Sequence, residues 1–268
     1  WLCHTTTGGA ESIHGHMEEW LQTEWWDWKV YVSNVTEQYA QVGVVGPNAR
    51  NLLEKIGGFD VSKEALGFME WKEGKLGKYD ARVFRISFSG ELSFEIAVPA
   101  RQGMEFWNEL MRAGEEFQVM PYGTEALGTL RIEKGHISGP ELDGRTTMAD
   151  VGLGGMASTK KQYIGSVLKQ REGLIAPHRK KMVGLISQDH KPLKVGSHIL
   201  HSAKNIGHIT STTYSPALEK YIALALIEHG DTLIDKQLIA TYPLNNEQNN
   251  VLVVDPHFYD KKGDRLYA

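Results

Sequence analysis

The residues best suited to chemistry lie in one stretch, Arg85-Ile86-Ser87-Phe88-Ser89-Gly90-Glu91-Leu92-Ser93-Phe94-Glu95-Ile96. Over residues 81–98 the period is close to two, which is that of a strand with two unlike faces. Phe84, Ile86, Phe88, Leu92, Phe94 and Ile96 make the apolar set, and Arg85, Ser87, Ser89, Glu91, Ser93 and Glu95 the polar one. A carboxylate on the polar side of an otherwise apolar wall is what a ligand-recognition element requires. Taken alone, though, Glu95 is also an ordinary surface-strand glutamate. Gly90 marks a hairpin turn or a bulge, and Pro99 ends the pattern. A second group, His14, His16 and Glu18, has metal-ligand side chains. On a helix His14 and Glu18 share a face that His16 does not, so these residues read as a solvated helix surface with no metal.

The elements that must position these side chains follow from periodicity. Residues 11–22 form a helix with Ile13, Met17, Trp20 and Leu21 on one face. Strands are expected at residues 1–7, 30–32 and 39–45, from their β-branched composition. Gly46-Pro47-Asn48 then opens a helix carrying Ala49, Leu52, Leu53 and Ile56, which Gly57-Gly58 stops. Helices are expected over residues 103–113, with Met104, Phe106, Trp107, Leu110 and Met111 as core candidates, and over 124–134, ending at Gly135. Such strand–helix alternation indicates α+β layers. After Met182 short strands alternate with turns: residues 183–186, 197–200, 207–210, 221–227 and 233–241. That spacing indicates a small antiparallel barrel. The expected division is therefore residues 1–178 and 179–268.

Composition limits the function. The chain has 268 residues, 41% hydrophobic and 23% charged, with a net charge of −4, enough to bury a substantial core. The negative balance argues against nucleic acid as a partner, and no apolar run approaches the ~20 residues of a membrane helix. The single cysteine, Cys3, leaves no internal disulfide and no multi-cysteine metal site, which fits the cytoplasm. Gly152-Leu153-Gly154-Gly155 has the wrong spacing for a dinucleotide turn. There is no P-loop and no nucleophile elbow. A flavin or nicotinamide is thus not expected to bind through motifs in this segment. The opening Trp1-Leu2-Cys3-His4-Thr5-Thr6-Thr7 reads as mid-strand, as in a piece of a longer polypeptide.

Several segments, in order, resemble the glycine-cleavage T-protein family. Residues 85–96 are similar to its Gly-Glu-x-x-Phe-Glu-Ile hairpin. Val44-Val45-Gly46-Pro47-Asn48-Ala49 is similar to its strand–Gly-Pro–helix element, and Leu130-Arg131-Ile132-Glu133-Lys134-Gly135 to its Leu-Arg-Leu-Glu-x-Gly helix end. Glu141 to Thr147, Tyr163-Ile164-Gly165, Gly207-His208-Ile209-Thr210-Ser211, Ser215-Pro216-Ala217-Leu218 and Ile222-Ala223-Leu224-Ala225 match further family motifs. The resemblance implies a ferredoxin-like folate-binding domain, here lacking its N-terminal part, followed by a C-terminal barrel, with tetrahydrofolate as ligand. It makes Glu95 the carboxylate that accepts two N–H groups from the pteridine edge, a charge-assisted bidentate contact, with Glu91 as the second choice. Phe88 stands where the family usually has tyrosine, so it packs on the ring without donating a hydrogen bond. Thr5 and Thr6, with Thr7, fall at a folate-contacting strand end, or are simply threonines in a strand. The arginine that the family places near the folate tail aligns with Leu127. The family's catalytic aspartate lies upstream of Trp1, so no catalytic residue is assigned.

Within that family, Glu18-Glu19-Trp20-Leu21-Gln22, Trp25-Trp26-Asp27 and Gly123-Thr124-Glu125-Ala126-Leu127 resemble the folate domains of sarcosine oxidase and dimethylglycine oxidase. This implies that the segment captures an imine carbon on tetrahydrofolate as 5,10-methylene-tetrahydrofolate. FAD, FMN and NAD would sit elsewhere in the whole enzyme, and the partners would be the rest of the alpha subunit and the beta, gamma and delta subunits. Two alternatives stay open: a free-standing aminomethyltransferase and a non-catalytic folate-binding module.

Overall fold

The computed structural model describes all residues, Trp1–Ala268. They form a mixed α+β fold with an open four-stranded sheet followed by a closed six-stranded antiparallel barrel. The chain divides into two compact units. One holds Trp1–Ile86 and Ser93–Met120, the other Ser87–Leu92 and Pro121–Ala268.

The first unit is built on β1 (Tyr39–Val45), β2 (Trp71–Leu76), β3 (Tyr79–Phe84) and β4 (Ser93–Pro99), in the order β1-β4-β3-β2 and antiparallel throughout. Its helices are α1 (Ala10–Thr23), α2 (Ala49–Ile56) and α3 (Gly103–Ala113). Register sorts the strand residues into two faces. Val44, Phe94, Ile96, Val98, Tyr79, Ala81, Val83 and Leu76 share one face and are buried. Leu52 and Leu53 of α2 and Phe106 and Leu110 of α3 are buried with them. Tyr79 meets Phe106 edge-on, with ring centroids 5.1 Å apart. Each such side chain removed from water contributes on the order of 1.5–3 kcal/mol, so this face is the core. Helix α2 starts after Gly46-Pro47-Asn48 and stops at Gly57, and α3 spans 103–113, as the sequence indicates.

Four expectations need correction. Residues 1–6 are not a strand, and Thr7–Gly9 is a 3-10 turn leading into α1. Residues 30–32 are also outside any strand. In neither place does the backbone join a ladder, and β-branched residues make a strand only when a neighbouring strand takes up their N–H and C=O groups. The apolar face of α1 is not core, since no residue of that helix is buried. Trp20, Trp25 and Trp28 stack on one another instead, at 5.4 and 4.8 Å. On α3, Met104 is largely exposed and Trp107 partly so.

The hairpin carrying the key motif departs from simple alternation too. Strand β3 ends at Phe84 and β4 begins at Ser93, so residues 85–92 are a loop. Arg85, on the expected polar side, is 1% exposed, whereas Phe88, on the apolar side, is 39% exposed. The Arg85 guanidinium donates to the Ser93 carbonyl at 3.2 Å and lies over the rings of Phe68 and Phe94. Burial, aided by the nearby Arg50, pushes its pKa down to about 10. The parity inverts because alternation persists only while the pleat does.

The second unit contains α4 (Thr124–Lys134), a four-residue helix α5 (Glu172–Ile175), and the barrel strands β5 (Lys180–Ser187), β6 (His198–His201), β7 (Lys204–Ser215), β8 (Lys220–Glu228), β9 (Gln237–Tyr242) and β10 (Glu247–Val254). The barrel closes in the order β10-β5-β8-β7-β6-β9. Its interior is filled by Val183, Leu185, Ile199, Ile209, Ala225, Ile227, Val251 and their neighbours. It is a packed core rather than a ligand chamber. The outer side of β8 is covered as well: Ile132 of α4 clusters with Ile222 and Leu224. That double burial is why residues 222–227 are continuously apolar.

Candidate functional site

The face of the sheet opposite its core carries the polar and aromatic groups. Register places Glu95 between Gly43 of β1 and Phe84 of β3, with Trp71 of β2 next beyond Phe84. Glu95 is half-buried. Its neighbour across β1 has no side chain, which leaves room beside the carboxylate. The amide Nε2 of Gln41 donates a hydrogen bond to Glu95 Oε2. The Trp71 and Phe84 rings stack at 6.1 Å, and His4 meets Phe84 edge-on at 4.6 Å. Burial raises the Glu95 pKa above the ordinary 4.5, and the charge of His4 and the Gln41 hydrogen bond pull the other way. The arrangement is a hydrogen-bond-oriented carboxylate set among aromatic rings, suited to a planar heterocycle with an N–H edge.

The remaining residues singled out in the sequence have other partners. Thr5 and Thr6 are exposed, and a Cβ on Gly9 would approach the Thr6 and Thr5 hydroxyls at 2.9 and 3.0 Å. Their side chains are turned to the start of α1. Phe88 and Glu91 belong to the second unit. Glu91 is held by Arg265, whose Nε donates to Oε2 at 2.8 Å. The Phe88 ring stacks on His136 at 6.1 Å, and the Phe88 carbonyl takes a hydrogen bond from His136 Nδ1 at 2.8 Å. Gly90, at φ +83, turns the loop; a Cβ there would sit 2.6 Å from Lys134 Cγ, so only glycine allows the Lys134 stem to lie so close. Leu127 lies on α4 and is half-buried. No three of the His, Cys, Asp and Glu side chains gather as metal ligands, and no helix is long and apolar enough to cross a membrane.

The Leu-Arg-Ile-Glu-Lys-Gly motif is structural in this geometry. Arg131 donates to Glu141 at 3.0 Å and to Ser211 at 2.6 Å, and Ser211 donates to Glu141 at 2.5 Å. Glu133 accepts from Ser215 at 2.5 Å. Lys134 Nζ reaches the Asp260 carbonyl at 2.6 Å and its carboxylate at 3.2 Å. Each charge is buried with its partner, so α4 is tied to the barrel and to the segment after it. Sequence motifs alone do not point to His4, Gln41, Gly43 and Phe84 as neighbours of Glu95. Gln41 and Glu95 are 54 positions apart, and only pairing of β1 with β4 brings them together.

Comparison with known proteins agrees with this architecture. Residues 1–161 match the GCVT N-terminal domain, and residues 180–260 match the glycine cleavage T-protein C-terminal barrel domain. The chain belongs to the glycine-cleavage T-protein family. It is 38% identical to the sarcosine oxidase subunit alpha of Rhizobium meliloti and 39% identical to that of Corynebacterium sp. strain P-1, in each case over 98% of this chain and 28% of the relative. It is 30% identical to an aminomethyltransferase of Caldanaerobacter subterraneus over 91% of this chain and 64% of that protein. The chain therefore spans little more than a quarter of the length of its sarcosine oxidase relatives. Among solved structures, the glycine cleavage system aminomethyltransferase T of Bartonella henselae has the same fold, with a TM-score of 0.79 at 21% identity, covering 95% of this chain and 67% of that one.

Proposed function

We propose that this chain is the tetrahydrofolate-binding part of a flavin-dependent amine oxidase of the sarcosine oxidase kind. The observation that carries the proposal is the 38–39% identity with sarcosine oxidase alpha subunits over almost the whole chain, against 30% with the aminomethyltransferase. In such an enzyme, sarcosine is oxidised to its imine while oxygen is reduced to hydrogen peroxide. The imine carbon then passes to tetrahydrofolate, giving glycine and 5,10-methylene-tetrahydrofolate. Tetrahydrofolate supplies the nitrogens that take up the carbon. Glu95 accepts the N–H edge of the pterin, oriented by Gln41, while Phe84 and Trp71 offer ring surface. In the second unit, Glu91, engaged with Arg265, holds the loop that carries Phe88. Thr5 and Thr6 are peripheral contacts. No residue of this chain is assigned as the base that takes the folate proton.

The oxidising flavins FAD and FMN, the NAD site and the beta, gamma and delta subunits belong to the rest of the assembly, which is cytoplasmic. The match to free-standing aminomethyltransferases favours a second reading, carbon transfer from a carrier protein. The test is folinic acid binding to the whole protein. Glu95→Ala is expected to weaken it at least tenfold while steady-state sarcosine turnover survives. Unchanged affinity would remove Glu95 from the site, and absence of sarcosine turnover in the whole protein would favour the second reading.

A further inference from the structure

Of the 11 histidines in the chain, two face each other across a ladder. His198 of β6 stands opposite His208 of β7. Ile209 N donates to the Ser197 carbonyl at 2.9 Å, so backbone hydrogen bonds flank the histidine pair instead of joining it. In such a pair the two side chains approach most closely, with Cβ atoms about 4.5–5.5 Å apart. The neighbouring Ile199 and Ile209 fill the barrel interior, and alternation turns His198 and His208 to its outer surface. His198 is exposed and His208 half-buried. Both belong to the second unit. Neither imidazole is tied up by a hydrogen bond, an ion pair or a ring contact within the protein.

Two imidazoles at this spacing suit a metal ion. Each neutral ring offers one nitrogen lone pair. A tetrahedral ion with bonds of about 2.0–2.1 Å holds two such nitrogens about 3.4 Å apart, which rings rooted on facing Cβ atoms reach by side-chain rotation. Imidazole selects Zn²⁺, Ni²⁺ and Cu²⁺, whereas Mg²⁺ and Ca²⁺ require oxygen ligands. Beside the pair stand Thr241 of β9 and Leu226 of β8, which bring no charge. The charges that bear on His208 are those of Lys180, Arg145 and Asp143. Arg145 and Asp143 are paired at 2.6 Å, which leaves Lys180 as the charge opposing a cation. Strand β6 has only four residues, and its register with β7 shifts between Ile199 and Leu200. An ion with one ligand from each strand would pin β6 to β7 next to that irregularity.

We propose that His198 and His208 form a binding site for a divalent transition-metal ion on the outer surface of the barrel, with water completing the coordination, and that the ion staples β6 to β7. Two protein ligands are fewer than the three or four of catalytic and structural zinc centres, so the ion exchanges with solution. The site uses no space inside the barrel and is independent of the folate reading.

The test is a calorimetric Zn²⁺ titration of the whole protein, for wild type, His198→Ala, His208→Gln and Lys180→Gln. His198 is exposed, so its replacement is expected to leave the fold intact. Each histidine variant should bind Zn²⁺ at this site about tenfold more weakly or worse. Lys180→Gln should bind it about threefold more tightly, because an opposing charge is gone. With Cu²⁺ as the probe, the electron paramagnetic resonance spectrum of wild type should show coupling to two imidazole nitrogens, and His198→Ala should lose that signal. Zn²⁺ should also raise the Tm of wild type more than that of His198→Ala. Identical Zn²⁺ isotherms for wild type and His198→Ala overturn the proposal, as does a two-nitrogen copper signal that persists in that variant. An equal rise in Tm for both overturns the staple.

Discussion

The sheet and the barrel bury their strands in opposite ways. Each barrel strand turns one side into a sealed apolar interior, and β8 is covered on its outer side too. The sheet packs one face on α2 and α3 and leaves the other to Gln41, Glu95, Arg82, Phe84 and Trp71, none of which is fully buried. A closed, filled barrel has stability to offer but no place for a ligand. A sheet with one polar, aromatic face offers a binding surface. On the proposed reading, recognition chemistry belongs to the open sheet face and the barrel supplies stability.

Substitutions should separate these roles. The largest effect is expected for Glu141→Ala, which strands the Arg131 charge (7% exposed) without its carboxylate partner. Urea denaturation should show a loss of about 4 kcal/mol. Ile209→Ala, in the fully buried barrel core, should cost about 3 kcal/mol by the same measurement, with folinic acid affinity of the folded protein unchanged. A binding defect there would break the comparison. Next is an acid effect in the second unit. Asp150 is buried, which by itself would raise its pKa. Hydrogen bonds from Arg179, Thr147 and Lys181 outweigh that and hold it at about 2. A carboxyl depressed in the folded state stabilises above its unfolded pKa, near ~3.9, and loses that contribution as pH falls through its folded value. Tm should therefore drop between about pH 4 and pH 2, and in Asp150→Asn this part of the drop should be missing.

On the sheet the pattern reverses. Glu95→Ala should change stability by no more than about 0.5 kcal/mol while weakening folinic acid binding. Because burial raises the Glu95 pKa, affinity should decline on acidification earlier than for a fully solvated glutamate, as the carboxylate takes up its proton. Gln41→Ala should have the smallest effect. It removes a hydrogen bond that favours the ionised form of Glu95, so the decline should begin at slightly higher pH, with Tm unchanged.

The sequence was legible where local rules suffice. Helices α2, α3 and α4 have clear stop or start residues, and five barrel strands stand out by composition. Strand β10 was hidden because it opens with Glu247-Gln248-Asn249-Asn250. Strand β2 was hidden because Lys72, Glu73 and Lys75 leave it little apolar character. The false strands at the start of the chain had suitable residues but no partner ladder. Glu95 could be picked out from its motif, whereas Gln41, Gly43 and His4 join it only through pairings between distant segments. His136 was invisible for the same reason: nothing local says that its ring will meet Phe88, 48 positions away.

The loop of residues 87–92 also bears on how this chain can be cut. Its ends belong to the sheet, yet its packing groups it with the barrel unit. The polypeptide thus passes from one unit to the other at 86/87, 92/93 and 120/121. A break at 120/121 would give a first fragment whose loop has lost His136, Lys134 and Arg265, and a second fragment with those groups and nothing to hold. The sheet and the barrel are not interchangeable cassettes, and gene fusions or swaps that treat residue 120 as a clean junction should lose the loop before they lose the fold.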